Sequence, residues 1–174
     1  GLEYDRWYRN CQKILDATYG KMPLIFSFMT TVNILSATTY HKFIEDVIAL
    51  RKKYITNHIE EGNRLPMMTN YLRYPHMLAI CNLNKDAKDK VLEHLEDVVT
   101  KYALENYHMK DCGFIWDDEI DQIKRLCQFM YKSSVGNVEQ NRFDFGKFIT
   151  EYDKRRNTNF GETFPELVGY YNLC

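Results

Sequence analysis

The feature that most constrains this chain is a run of apolar residues that turns directly into an amphipathic helix, PLIFSFMTTVNILSATTYHKFIEDVIALRKKY, from Pro23 to Tyr54. Ile25, Phe26, Phe28, Met29 and Val32 cover about the length of one buried strand, with β-branched Thr30, Thr31 and Val32 near its end. Pro23 stands at the start, where a missing N–H costs little. Strand alternation sends Ser27, Met29, Thr31 and Asn33 to one face and Phe26, Phe28, Thr30 and Val32 to the other. Ser36 then offers an N-cap oxygen, and Tyr40, Phe43, Ile44, Val47, Ile48 and Arg51 follow at helical spacing. Parallel α/β folds bind ligands beyond the C-terminal ends of their strands. Thr31 and Asn33 occupy that place, so both are candidate binding residues. The simpler alternative is a strand end whose Asn33 hydrogen-bonds the following loop.

The flanking sequence extends this pattern. Tyr4–Thr18 reads as a helix, with Tyr4, Trp7, Tyr8, Cys11, Ile14, Leu15 and Thr18 on one stripe, Gly20 as its C-cap and Pro23 beyond. A polar loop covers Thr56–Arg64. Met67–Leu72 reads as a second strand between Pro66 and Pro75, each of which disfavours helix at the preceding residue. Leu83–Asn106 is a helix with Asn84 as its cap and Ala87, Val91, Leu92, Leu95, Val98, Val99 and Tyr102 inward. Helix, strand, helix, strand, helix is the order of a parallel sheet with a right-handed crossover. Two strands leave edges and a face open. Either Gly113–Trp116 adds a third short strand, or further strands lie outside these residues.

Beyond Asn106 the pattern becomes helical. Asp117–Lys132 is a helix with Asp117, Asp118 and Glu119 at its positive end, where the macrodipole favours them. Its inward residues are Ile120, Ile123, Leu126, Cys127, Met130 and Tyr131. Ser133–Gln140 reads as a linker. Phe143–Arg155 is a further helix with Phe145, Phe148, Ile149 and Tyr152 inward, and an aromatic, turn-rich tail ends the chain. The organisation expected is a βα portion over residues 1–110 and a helical extension over 111–174.

Composition narrows the function classes. The 174 residues suffice for one domain, and 45% hydrophobic with 27% charged residues is the balance of a folded globule. A net charge of −1 argues against nucleic acid or an anionic membrane surface as partner. No apolar run reaches the length of a membrane span, and no secretory leader is apparent. The five cysteines, Cys11, Cys81, Cys112, Cys127 and Cys174, are too widely spaced for a zinc or iron–sulfur set. Reduced, buried thiols in a cytoplasmic protein are expected. The chain opens on Gly1 rather than Met, which is compatible with a processed product or a piece of something larger.

Other motifs have ordinary explanations. His41, His58, His76, His94 and His108 are scattered without metal-ligand spacing. The acidic run Asp117, Asp118, Glu119, Asp121 could hold a cation, but a solvated helix start explains it. Arg51–Lys52–Lys53 and Lys154–Arg155–Arg156 sit at helix C-terminal ends, where the dipole favours them, and phosphate binding there is the alternative. Glycine-rich phosphate loops and a nucleophile elbow are absent.

Three stretches together carry a resemblance. TTVNILSATTYHKFIEDVIALRKK resembles the fifth strand and following helix of radical S-adenosylmethionine (SAM) enzymes. MMTNYLRYPHMLAICNLNKDAKDKVLEHL resembles the sixth strand and its helix. FITEYDKRRNTNFGETFPEL resembles the C-terminal tail of the twitch-domain subgroup, with an Asp-x-x-Arg helix end before a Phe-Pro-Glu-Leu turn, and LEYDRWYRNCQKIL would be the helix before the fifth strand. The resemblance implies an α/β fold, a fragment of a partial (β/α)₆ barrel with two to three parallel strands, flanking helices and a helical C-terminal tail. It implies SAM and a [4Fe–4S] cluster as cofactors of the complete enzyme, the cluster held by a CxxxCxxC motif. That motif is absent here, as are the first four strands and the cysteines that hold auxiliary clusters. By the resemblance, Thr31 and Asn33 face substrate, and Met68 and Asn70 lie near the cofactor. The chain alone would bind neither cluster nor SAM. Its expected partner is the missing N-terminal half of the barrel, with self-association through open sheet edges as a second possibility. The rival expectation is a complete, non-catalytic α/β interaction module.

Overall fold

The computed structural model describes residues 3–18, 21, 25–54, 65–105 and 115–174. Helix α1 (Tyr4–Thr18) leads into strand β1 (Phe28–Val32), the one-turn helix α2 (Ile34–Ala37) and helix α3 (Tyr40–Tyr54). Strand β2 (Met67–Tyr71) follows, then two 3₁₀ turns at His76–Leu78 and Ile80–Asn82. The rest is helical: α4 (Lys85–Glu105), α5 (Asp117–Lys132), α6 (Val138–Arg156), α7 (Phe160–Thr163) and α8 (Val168–Tyr171). The fold is α/β in class and mostly helical. Among the described residues its sheet has two strands, which pair in parallel.

The strands align Phe28 with Met67, Met29 with Met68, Thr30 with Thr69, Thr31 with Asn70 and Val32 with Tyr71. Equivalent faces therefore coincide. Phe28, Val32, Met67 and Thr69 are buried against the helices, with Trp7 of α1 wedged between Phe28 and Phe43 at ring distances of 6.0 and 5.9 Å. On the opposite face Thr31 and Asn70 are exposed, and Met29 and Met68 are 73% and 44% exposed. The expectation of a fully buried first strand is corrected. β1 is covered on one face only, with Met29 73% and Ile25 66% exposed.

The outer edge of β2 is closed by a helix. In a parallel pair alternate N–H groups point away from the partner strand, and on β2 these include Met67 and Thr69. The Met67 N–H donates to Glu119 Oε1 at 2.7 Å and the Thr69 N–H to Gln122 Oε1 at 2.6 Å, both from α5. Residues three apart on a helix share a face, so Glu119 and Gln122 serve two strand amides as a third strand's carbonyls would. Glu119 also binds Arg51 of α3 in a fork, Arg51 Nη1 to Glu119 Oε2 at 2.8 Å and Arg51 Nη2 to Glu119 Oε1. Arg51 Nε and Nη2 donate to Leu65 O at 2.9 and 2.7 Å, and the guanidinium lies 4.5 Å from the Trp116 ring centre. Both side chains are buried, Glu119 completely. The solvated helix start expected for Glu119 is corrected: Glu119 and Arg51, the last member of the expected α3 stripe, form one internal ion pair. Its partners are 68 residues apart in sequence, and it joins α3, α5 and the residues leading into β2.

Other expectations change in detail. Ser36 does not open α3. Asn33 caps α2, accepting from Leu35 N at 2.9 Å, while Ser36 Oγ accepts from Asn33 N at 3.0 Å. The chain needs this extra turn to leave the strand and reach the helical layer. Helix α6 starts at Val138, five residues before the expected Phe143, because Asn137 caps it through Gln140 N at 3.0 Å and Gly136 turns the backbone at φ 63°. The buried stripe of α6 is Asn141, Phe145 and Ile149, while Phe148 and Tyr152 lie on its flank, partly exposed and packed on each other. Tyr131 also reaches the surface, where its hydroxyl donates to Asp89 of α4 at 2.6 Å. Asn84 does cap α4, accepting from Ala87 N at 3.3 Å. Gly20, Pro23 and the loop at 56–64 lie outside the described residues, as do residues 113 and 114 of the proposed third strand; Ile115 and Trp116 are not in a strand.

Candidate functional site

The candidate site lies where both strands end and α2 and α3 begin. Tyr40, the first residue of α3, points its hydroxyl into the sheet and bonds Thr69 Oγ1 at 2.6 Å and Thr30 Oγ1 at 3.2 Å. Thr30 Oγ1 also donates to Met68 O at 3.1 Å. Three hydroxyls thus link β1, β2 and α3 beneath the sheet. Burial raises the Tyr40 phenol pKa above its usual value, partly offset by the two threonine hydroxyls.

A cleft of about 550 Å³ opens beside β1. Thr31, Val32, Ser36, Tyr40 and Phe43 line it from β1, α2 and α3, and Tyr4 of α1 closes one side by donating to Asp46 Oδ2 at 2.6 Å. Burial and the Asp46 carboxylate push the Tyr4 phenol pKa well up. The cleft can hold an apolar group against Phe43 and Tyr40 with hydroxyls at one rim.

The four residues singled out from the sequence fall into two places. Thr31, Met68 and Asn70 share the exposed face of the sheet, with Thr31 directly opposite Asn70 across the strand pair. Thr31 also lines the cleft; Met68 and Asn70 do not. Asn33 stands one residue beyond β1, half-buried, with its side-chain oxygen engaged as the cap of α2. Tyr40, Tyr4 and Asp46 were missed. Tyr40 reads simply as one of the apolar positions of α3, and no sequence spacing ties Tyr4 to Asp46.

The tail motifs have identifiable structural work. Asp153 accepts from Thr158 Oγ1 at 2.7 Å and from Phe160 N at 2.8 Å, holding the turn after α6. In the Phe-Pro-Glu-Leu turn Leu167 is fully buried, and Glu166 Oε1 accepts from Thr38 Oγ1 at 2.9 Å beside the start of α3. The tail therefore returns to the cleft end of β1.

Among the described residues no group of three or more His, Cys, Asp or Glu is placed to hold a metal ion. Burial raises the pKa of Cys11 and Cys81, and brings Cys127 up to about 11, so these three stay as thiols at neutral pH. Cys112, His58 and His108 lie outside the described residues. Among the described residues no helix is long and apolar enough to cross a membrane.

Comparison with protein-family models, with curated proteins and with solved structures found no match.

Proposed function

We propose that this chain is the C-terminal portion of a radical SAM enzyme of the twitch type, in which its two strands close a partial barrel and line the SAM and substrate side. The observation that carries the reading is the sheet itself. Two parallel strands have helices on one face, while the other presents Thr31 opposite Asn70 and Met29 opposite Met68. A barrel stave has this polarity, with its helix layer outside, its other face toward the barrel interior and the site at its C-terminal end. The closure of the outer edge of β2 by Glu119 and Gln122 supports reading β2 as the last stave. Upstream strands would join at β1.

In this reading Thr31 and Asn33 contact substrate, and Met68 and Asn70 lie toward SAM. A [4Fe–4S] cluster, whose chemistry is to cleave SAM reductively to a 5′-deoxyadenosyl radical, would be held by upstream cysteines.

The test begins with the native gene product. Its mass and upstream sequence are determined, and it is incubated anaerobically with iron, sulfide, reductant and SAM. The expected result is a longer polypeptide carrying CxxxCxxC that releases 5′-deoxyadenosine. Thr31→Ala and Asn70→Ala should slow substrate turnover without lowering thermal stability, since both side chains are exposed. A native product of 20.8 kDa that folds and releases no 5′-deoxyadenosine sinks the proposal.

The exposure of Ile25 and Met29 favours a second reading, a non-catalytic module whose uncovered sheet face docks on a partner. A folded native product of this length that is oligomeric in sedimentation is its signature.

A further inference from the structure

We propose that His41 and His94 form a pH-sensitive latch between α3 and α4, closed at neutral pH and loosened by mild acid. The proposal does not depend on the enzymatic reading above. His41 belongs to α3 and His94 to α4, and their rings pack with centres 4.3 Å apart at an angle of 45°. In each ring Nδ1 is buried and has no hydrogen-bond partner among the described residues.

That arrangement suits a neutral His41 imidazole against the His94 ring. A neutral ring carries one N–H and one bare nitrogen. With the proton on Nε2, the buried Nδ1 carries only a lone pair. Protonation would place an N–H at a buried Nδ1 that makes no hydrogen bond among the described residues, and a buried unsatisfied donor is costly. Charging both rings would also set two cations a ring contact apart.

The surrounding charges do not remove this conflict. Burial lowers the pKa of His41 first, and His94 and Lys42 lower it further. Glu45 and the backbone of Thr38 act the other way. Glu45 is itself committed to Lys101 of α4 at 3.1 Å, the neighbouring link between the same helices. His41 therefore titrates below its ordinary 6.5 in the folded chain. The unfolded chain takes up protons first, so the contribution is complete above pH 6.5 and falls away as pH drops toward the folded value.

Loosening this seam has a route to the sheet. His41 follows Tyr40, whose hydroxyl joins both strands, and Arg51 in the last turn of α3 holds the residues leading into β2. Acid acting on the latch would thus reach the end of the sheet that carries the candidate site.

Two measurements on the whole chain test this. Ring resonances followed by NMR between pH 7.5 and 5 should show His41 titrating below 6.5 in the wild type and moving up in His94→Gln. Hydrogen exchange should quicken in α3 and α4 of the wild type over the same interval, and much less in His94→Gln. A wild-type His41 that titrates at or above 6.5 overturns the proposal, as does acid-quickened exchange that is equal in wild type and variant. Should His94→Gln fail to fold, His41→Phe provides the exchange comparison, and the wild-type titration decides by itself.

Discussion

Glu119→Gln isolates the charge of the buried pair while keeping its shape. An oxygen remains to accept from Met67 N, but the amide places N–H groups where Arg51 presents its own donors. Arg51 keeps Leu65 O and the Trp116 ring, and its buried guanidinium loses the Glu119 carboxylate that forks it. Breaking a buried pair on one side costs about 3–5 kcal/mol. Against a total stability of roughly 5–15 kcal/mol for a domain, the variant should remain folded but sit near its limit. Arg51→Met should cost about as much, since it strands the Glu119 carboxylate and removes both bonds to Leu65 O. The double variant Arg51→Met/Glu119→Gln buries no charge, and the costs should fall short of additive by about 2–3 kcal/mol. Urea denaturation of the four proteins, with slopes compared to verify two-state unfolding, gives the cycle. Costs that add to within about 0.5 kcal/mol, or a loss under about 1 kcal/mol for Glu119→Gln, would refute the assignment of this pair as the junction between α3, α5 and β2.

Gln122→Ala should bare the Thr69 N–H at the sheet edge, costing about 1–2 kcal/mol and speeding exchange at that amide more than at its neighbours. Tyr40→Phe should cost about 1–3 kcal/mol by leaving the buried Thr69 hydroxyl short of a partner, readable as a lower denaturation midpoint. Because burial raises the Tyr40 phenol in the folded chain, its contribution is intact below pH 10 and lost as pH rises through the folded value. Alkaline melts should therefore separate wild type from Tyr40→Phe, and curves that fall in parallel would count against the buried hydroxyl. Gly136→Ala should lower stability by about 1–2 kcal/mol, since φ is 63° there and a Cβ would meet His76 Nδ1 at 3.2 Å; an unchanged melting temperature would contradict that strain.

Periodicity located most elements without help from tertiary structure. The bounds of α1 and α5 agree with their apolar stripes and flanking turn or acidic residues, and β2 ends one residue short of its expected end. The site was legible in part. Thr31, Met68 and Asn70 alternate with buried residues, so their shared face follows from period two once the register is known. Asn33 lies one residue past the strand, and its side-chain oxygen accepts in the cap of α2. Tyr40 was hidden because a tyrosine on an apolar stripe looks like packing, and its hydroxyl acquires a role only where two threonines from different strands converge on it.

By itself the sequence determined where the longer helices and the two strands run and which strand positions alternate, because those depend on contacts within a few residues; the short helix α2, the start of α6 and the helices of the tail did not follow from it. Only the tertiary structure decided which charges go inside and which sheet edge is sealed. Arg51 and Glu119 each sit where a helix dipole would welcome them in water, so local rules cannot tell a solvated charge from a buried one. Burial becomes tolerable when α3 and α5 bring the two opposite charges together beside the unmet backbone groups of Leu65 and Met67, and that meeting depends on the path of the whole chain.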